Sequence, residues 1–424
     1  MSSQLSSRIL AILVAGSLIS FISFGVRSTL GHYNDLLAVD HSLAGQGFFA
    51  SWTLYGGITF GGFTLALALQ NLVWGLTQPF SGGLADRFGP VKIMALGALF
   101  YFAGIASMPF VSENWMLYLG AGLLAGMGIS FTSFNLVNAA FSRLLPAQWR
   151  GLGLGLGTAM GSAGQMVLNP FVAPLNIGLG WENTLFLIGA ICLLVIPAAL
   201  ILTGSDASSV KNEGKRQSVR EACAEAFANR SYIFLLLGFF VCGFHLAFVT
   251  VHMPRYLQEE LALSREVSGW FLSLVGGFNV IGALAAGYLS QHRSRPYTLA
   301  LIYATRGLAI AGFLALIALF GAQPWIVYVF GAIMGLMWLA TVPPTTGVVA
   351  NMFGLSHMAM LYGFTFVSHQ IGSFIGVIMG GWFYGTYETY EPIWYFSILL
   401  AFIAFALHLP IRDVPVPRLR AAAA

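Results

Sequence analysis

The chain of 424 residues is 58% hydrophobic and only 8% charged, with a mean hydropathy of +0.80. Soluble domains carry roughly 25% charged residues, so this balance excludes an ordinary soluble enzyme or regulator and indicates a multi-span membrane protein. The net charge of +4 comes without a basic stripe interleaved with aromatics, which argues against a nucleic-acid partner.

A membrane helix needs about 20 mostly apolar residues, and twelve segments meet that template. The first, 9–31, is too long for the apolar core of a signal peptide and reads as an uncleaved span. Its end, ISFISFGVRSTLG, sets Ser20, Ser23 and Arg27 three and four residues apart, hence on one helix face. A guanidinium at mid-bilayer costs at least ~2.5–3.5 kcal/mol. Arg27 therefore either snorkels to the interface or faces polar groups kept inside the protein. The stretch 32–60 is long for a loop, and its GFFASWTLYGG portion fits an interfacial or re-entrant piece.

The spans 61–84, 91–110, 115–141, 149–175 and 182–203 complete a first set of six. Gln70 and Asn71 lie in the second, Asn135 and Asn138 in the fourth. Amides at membrane depth either orient a substrate or fasten helices together. The charged segment 204–231 reads as a solvated linker, and its SVREACAEAFA portion has the pattern of a short amphipathic helix.

The second set comprises 232–257, 265–289, 297–320, 324–348, 357–386 and 392–410. The seventh span holds His245 and His252, seven residues apart and so on one face. Histidine titrates near neutral pH, and no Asp or Glu falls in mid-span, so proton coupling would run through histidine or the substrate's own acid group. Asn279 lies in the eighth span and Arg306 in the ninth, where it reads as a structural residue bonding carbonyls of neighbouring helices. Trp338 and the pair Pro343-Pro344 lie in the tenth; the prolines remove backbone donors and free carbonyls. The eleventh places Ser368, His369 and Gln370 at mid-depth.

Orientation follows from Lys and Arg. With the N-terminus in the cytoplasm, fifteen of the 19 basic residues fall in cytoplasmic segments; only Arg255 and Arg265 fall on the other side, and Arg27 and Arg306 within spans. Both termini are thus expected in the cytoplasm. The three cysteines, Cys192, Cys223 and Cys242, have no metal-ligand spacing and read as inert thiols. No cofactor or metal motif is present, and no paired buried carboxylates or phosphate loop support an enzyme.

The second and eighth spans end alike, GGLADR at 82–87 and GYLSQH at 287–292. Weak internal symmetry across half a chain is typical of transporters. Here the residues carry a resemblance. GGLADRFGPVK, 82–92, resembles the loop between the second and third helices of the major facilitator superfamily, with Gly82, Asp86, Arg87 and Gly89 in the matching positions. RGLGLGLGTAMGSAG, 150–164, is similar to the fifth-helix signature of the monocarboxylate porters. Arg150, Leu152, Gly155, Ala159 and Gly164 match it. Where those porters carry an Asp–Arg pair on the eighth helix, this chain has Asn279 and Ala283.

The resemblance implies an all-α membrane protein of twelve transmembrane helices in two pseudo-symmetric six-helix bundles, here 1–203 and 232–424. It implies a secondary transporter of the monocarboxylate porter and oxalate–formate antiporter branch, working by alternating access in the plasma membrane. The expected cargo is a small organic anion, a monocarboxylate among the candidates, with protons as a candidate coupling ion; export of a neutral or amphipathic small molecule is the alternative. The family's central cavity is lined by helices 1, 4, 7 and 10 and flanked by 2, 5, 8 and 11. The expected substrate-binding residues are Arg27, Asn135, Asn138, His245, His252, Asn279, Trp338, His369 and Gln370. Gly82, Asp86, Arg87 and Gly89 are expected to form a conformational switch. The remaining partners are membrane lipids.

Overall fold

A computed structural model of the chain describes residues 7–33, 60–204 and 217–423. The proposed re-entrant piece within 32–60 and the linker residues Lys211, Lys215 and Arg216 fall outside the described residues, apart from the ends of the former.

Twelve long helices run through the described chain. The first six are α1 (Ser7–Thr29), α2 (Phe60–Phe88), α3 (Pro90–Phe110), α4 (Asn114–Leu144), α5 (Ala147–Leu179) and α6 (Trp181–Ile201). The second six are α7 (Arg230–Glu260), α8 (Arg265–His292), α9 (Arg295–Phe320), α10 (Pro324–Phe353), α11 (Met358–Tyr387) and α12 (Glu391–His408). Ten of them are long and apolar enough to cross a membrane. The other two, α2 and α5, have the length but carry Gly, Gln, Asn and internal Pro where the rest carry aliphatic residues. All twelve coincide with the segments expected from hydropathy.

The contacts divide the chain into two compact units, residues 1–144 with 160–209, and 145–159 with 210–424. In the first, Gly89 ends α2 at φ 91°, a value that an L side chain rarely adopts, and its N–H bonds the Ala85 carbonyl at 3.0 Å. Pro90 then starts α3, its missing N–H costing nothing in the first turn. The chain reverses within one residue, which pins Asp86 at the end of α2.

Two helices are broken. In α4 a π-helical turn, Tyr118–Leu124, precedes a break at Ser133, whose backbone is extended (ψ 159°). In α10 the helix stops at Met337 and resumes at Val342, with Pro343 and Pro344 in the first turn of the new piece. Each break leaves backbone carbonyls without intrahelical donors, and at membrane depth these need partners. Side chains from neighbouring helices supply them. Gln78 of α2 donates to the Ser130 carbonyl at 3.2 Å. Arg306 of α9 donates to the Met337 and Trp338 carbonyls at 2.6 and 3.1 Å. Asn279 of α8 accepts from the Leu339 N–H at 2.9 Å.

The second unit is packed around aromatic side chains. Phe313 and Phe330 stack at 4.2 Å, and Trp394, Phe248 and Tyr256 close around them. Beside this core α7 and α11 approach to backbone contact. A Cβ on Gly376 would lie 2.5 Å from the Phe244 carbonyl oxygen, so only glycine fits there. A short helix, Val219–Phe227, is closed by a capping box in which Ser218 and Glu221 bond each other's backbone N–H. The C-terminal segment ties back to the same unit: Asp413 accepts from Arg295 at 2.7 Å and from Asn351 at 2.8 Å.

Candidate functional site

In the first unit Arg27 points inward from α1. Its Nη2 donates to Asn71 Oδ1 at 2.5 Å, and the guanidinium lies 5.0 Å from the centre of the Trp74 ring. Phe24, one turn earlier, meets Trp74 edge-on at 5.4 Å. The arginine is thus held by the α2 side chains Asn71 and Trp74. It makes no ion pair among the described residues, and its Nε–H is buried without an acceptor. A cation so placed is favoured by an incoming anion, and its planar fork matches a carboxylate.

The rest of the α1 face is split. Ser23 is bound to Thr132 at 2.9 Å, and Tyr101 donates to the Ser23 carbonyl at 3.1 Å. Ser20, fully buried, has no hydrogen-bond partner among the described residues. Across from it α4 packs with Phe134 against Phe24, and Val137 lies beside Gly16. Asn138, next to Val137, is fully buried, with neither amide atom bonded among the described residues. Asn135 donates to Gln78 Oε1, a residue that the sequence reading had not singled out, and its own oxygen is unbonded. Buried polar groups without partners are rare. Asn138, Ser20 and the Asn135 oxygen are therefore groups with hydrogen bonds left to make.

The motif at the end of α2 acquires a partner. Asp86 is buried and ion-paired with Arg143, at the far end of α4, whose side chain is also shut off from solvent. Gly82 is buried and Arg87 exposed, its guanidinium over the Phe88 ring at 5.0 Å. Arg143 carries no motif signature of its own, so its role emerges only from the packing.

In the second unit the expected residues part company. His245 bonds the Ser397 carbonyl of α12 at 2.9 Å. His252 has both ring nitrogens engaged, Nε2 with the Val377 carbonyl at 2.9 Å and Nδ1 with the Tyr390 hydroxyl at 3.0 Å. Since a carbonyl only accepts, Nε2 carries the proton and Nδ1 receives the Tyr390 O–H. Both histidines fasten α7 to its neighbours. Asn279 secures the broken α10, and the Trp338 side chain packs on the aromatic core.

His369 and Gln370 do meet, at 3.2 Å, with the His369 ring stacked on Phe366 and tilted against Phe239. Beside them stands a cluster that the sequence does not announce. Arg306, fully buried, reaches the α10 break through Nη2, which also lies 3.9 Å from Cys242 Sγ. The sulfur is 3.2 Å from the Thr341 hydroxyl, and the His369 backbone carbonyl packs against Gly243, next to Cys242. No group of three or more metal-ligating side chains occurs among the described residues.

These features were compared with known proteins. The chain is 26% identical over 332 residues to YcxA, an uncharacterized MFS-type transporter of Bacillus subtilis, covering 77% of this chain and 80% of that one. It is 25% identical over 330 residues to human monocarboxylate transporter 11, covering 75% and 67%. It is 23% identical over 368 residues to the oxalate:formate antiporter of Oxalobacter formigenes, covering 84% and 85%. The fold is similar to that of a bacterial homologue of the iron transporter ferroportin in its outward-facing state, with a TM-score of 0.71 at 14% identity over 94% of this chain and 98% of that one. The Major Facilitator Superfamily model matches residues 5–316, a stretch that holds the Gly82–Gly89 motif, the Asp86–Arg143 pair and the inward-facing Arg27. With twelve long helices behind that match, the chain belongs to the Major Facilitator Superfamily and is a membrane transporter, not an enzyme.

Proposed function

We propose that the protein is a secondary transporter that carries a small organic anion across the plasma membrane by alternating access, with Arg27 as the cation that holds the cargo. The observation that carries this reading is the state of Arg27: turned inward, without an acidic partner among the described residues, and with one N–H unbonded. Leaving a cation in that state is costly unless a second charge visits it. The anion would be received by the guanidinium fork, with Asn138 and Asn135 offering the polar atoms that the fold leaves unused. The similarity to monocarboxylate transporter 11 and to the oxalate:formate antiporter supports a carboxylate as the cargo.

In this reading the two halves are 1–203 and 232–424, joined by the linker 204–231, with both termini in the cytoplasm as the distribution of Lys and Arg favours. Gly82, Asp86, Arg87 and Gly89 act with Arg143 as the switch, since a buried ion pair at the end of α2 and α4 is a contact that can hold one state. His369 and Gln370, which meet each other on α11, are the expected contributors from the second unit.

The test is uptake of labelled carboxylates into proteoliposomes with and without a pH gradient. At least one carboxylate is expected to accumulate or compete. A panel that fails entirely while a neutral compound is carried would replace the anion reading with export of a neutral or amphipathic molecule.

A further inference from the structure

The buried guanidinium of Arg306 lacks a carboxylate partner among the described residues. Its Nη2 is committed to two α10 carbonyls, while Nε and Nη1 are buried and unbonded. A charge this deep is retained only with a compensating charge nearby. Two acidic groups face it. Tyr303, one turn earlier on α9, presents its ring at 5.4 Å. Cys242, from α7, presents its sulfur at 3.9 Å. An unperturbed thiol gives up its proton about 1.5 pH units more readily than a phenol.

The other groups around the sulfur favour the same outcome. Thr341, from the α10 break, lies at 3.2 Å and has an O–H to donate. His369 of α11 packs its backbone carbonyl against Gly243, the neighbour of Cys242. The remaining titratable groups near the cluster are Tyr362 on α11, His245 one turn on along α7, and His408 of α12. His408 stacks on Tyr303 at 4.9 Å and bonds its own helix through Nδ1. None of these supplies an anion more readily than a thiol: a phenol ionises at higher pH, and a histidine that loses its proton is neutral.

We propose that Cys242 is the counter-ion of Arg306, a thiolate in the resting carrier, and the group of the second unit that exchanges a proton. The ionisation rests on the cluster alone. Its use in coupling rests on the anion-carrier reading, in which Arg27 receives the cargo: Cys242 Sγ binds a proton from water once in each transport cycle, with His369 as the most accessible member of the cluster. One anion and one proton then travel together, and no electron is moved.

The experiment uses the full-length protein in nanodiscs with Cys192→Ala and Cys223→Ala, which leaves Cys242 as the one thiol. Thiolate absorbance near 240 nm is titrated against pH. We expect a single-thiolate step with a midpoint at least about one unit below the ordinary thiol value of about 8.5, absent after Cys242→Ser and raised by Arg306→Gln. Should Arg306→Gln not purify folded, Thr341→Val serves instead, since it removes the hydroxyl beside the sulfur and raises the midpoint less. A midpoint at the ordinary thiol value, or one that neither substitution moves, overturns the proposal. Uptake by Cys242→Ser is measured alongside and is expected to lose its dependence on a pH gradient. If the thiolate is found but no carboxylate is carried by the parent protein, the pair stands and the anion-carrier reading falls.

Discussion

Arg143 at the end of α4 is ion-paired with Asp86 at the end of α2, and both side chains are closed to solvent. Removing one partner of a buried pair leaves an uncompensated charge, which costs about 3–5 kcal/mol. Asp86→Asn is therefore expected to lower the thermal midpoint of the purified carrier sharply and to abolish uptake. Asp86→Arg combined with Arg143→Asp is expected to recover part of the stability. A carrier with Asp86→Asn as stable as the parent would show that the pair holds nothing.

Arg27→Gln removes the charge and the fork, and its shorter side chain gives up the contact with Asn71. A hydrogen bond to a charged group is worth about 1.5–3 kcal/mol, so anion affinity should fall about 10- to 150-fold. Arg27→Lys keeps the charge without the bidentate geometry and should fall between. Competition by unlabelled carboxylate against labelled uptake reads both. Equal affinity for all three proteins would remove Arg27 from the site.

Asn279 holds the α10 break by accepting from the Leu339 N–H. Asn279→Ala orphans that donor and should cost about 1–3 kcal/mol. The loss would appear as a lower denaturation midpoint in a thermal unfolding series. Unaltered unfolding of Asn279→Ala would show that the Leu339 N–H does not depend on Asn279.

Gly376→Ala puts a methyl group 2.5 Å from the Phe244 carbonyl oxygen, where only backbone could give way. Overpacking of this kind costs about 1–3 kcal/mol. Because α7 and α11 also hold Cys242 and His369, uptake should fall together with stability. Unaltered unfolding would mean that the two helices are not packed as closely as described.

The helical spans and the superfamily motif were legible in the sequence because each is local. Hydropathy over about 20 residues depends only on neighbours along the chain, and GGLADRFG depends only on the turn it must make at Gly89. The Pro343-Pro344 pair likewise signalled an interrupted α10, with the break falling just before it. The sequence reading of Arg306 as a residue that bonds carbonyls agrees with its contacts at Met337 and Trp338.

What the tertiary structure alone decided is which group meets which. His245 and His252 share a helix face with the pattern expected of a site, yet His245 Nε2 is bound to α12 and both nitrogens of His252 to α11 and Tyr390, which leaves only His245 Nδ1 unbonded among the described residues. Asp86 is matched by Arg143, 57 residues away, and Cys242 by Arg306, 64 residues away. Periodicity tells which side of a helix a residue lies on, but not which helix lies opposite. In a membrane the energy of a charge depends almost wholly on that neighbour, so partners that are distant in sequence decide whether a polar residue binds cargo or only secures the fold.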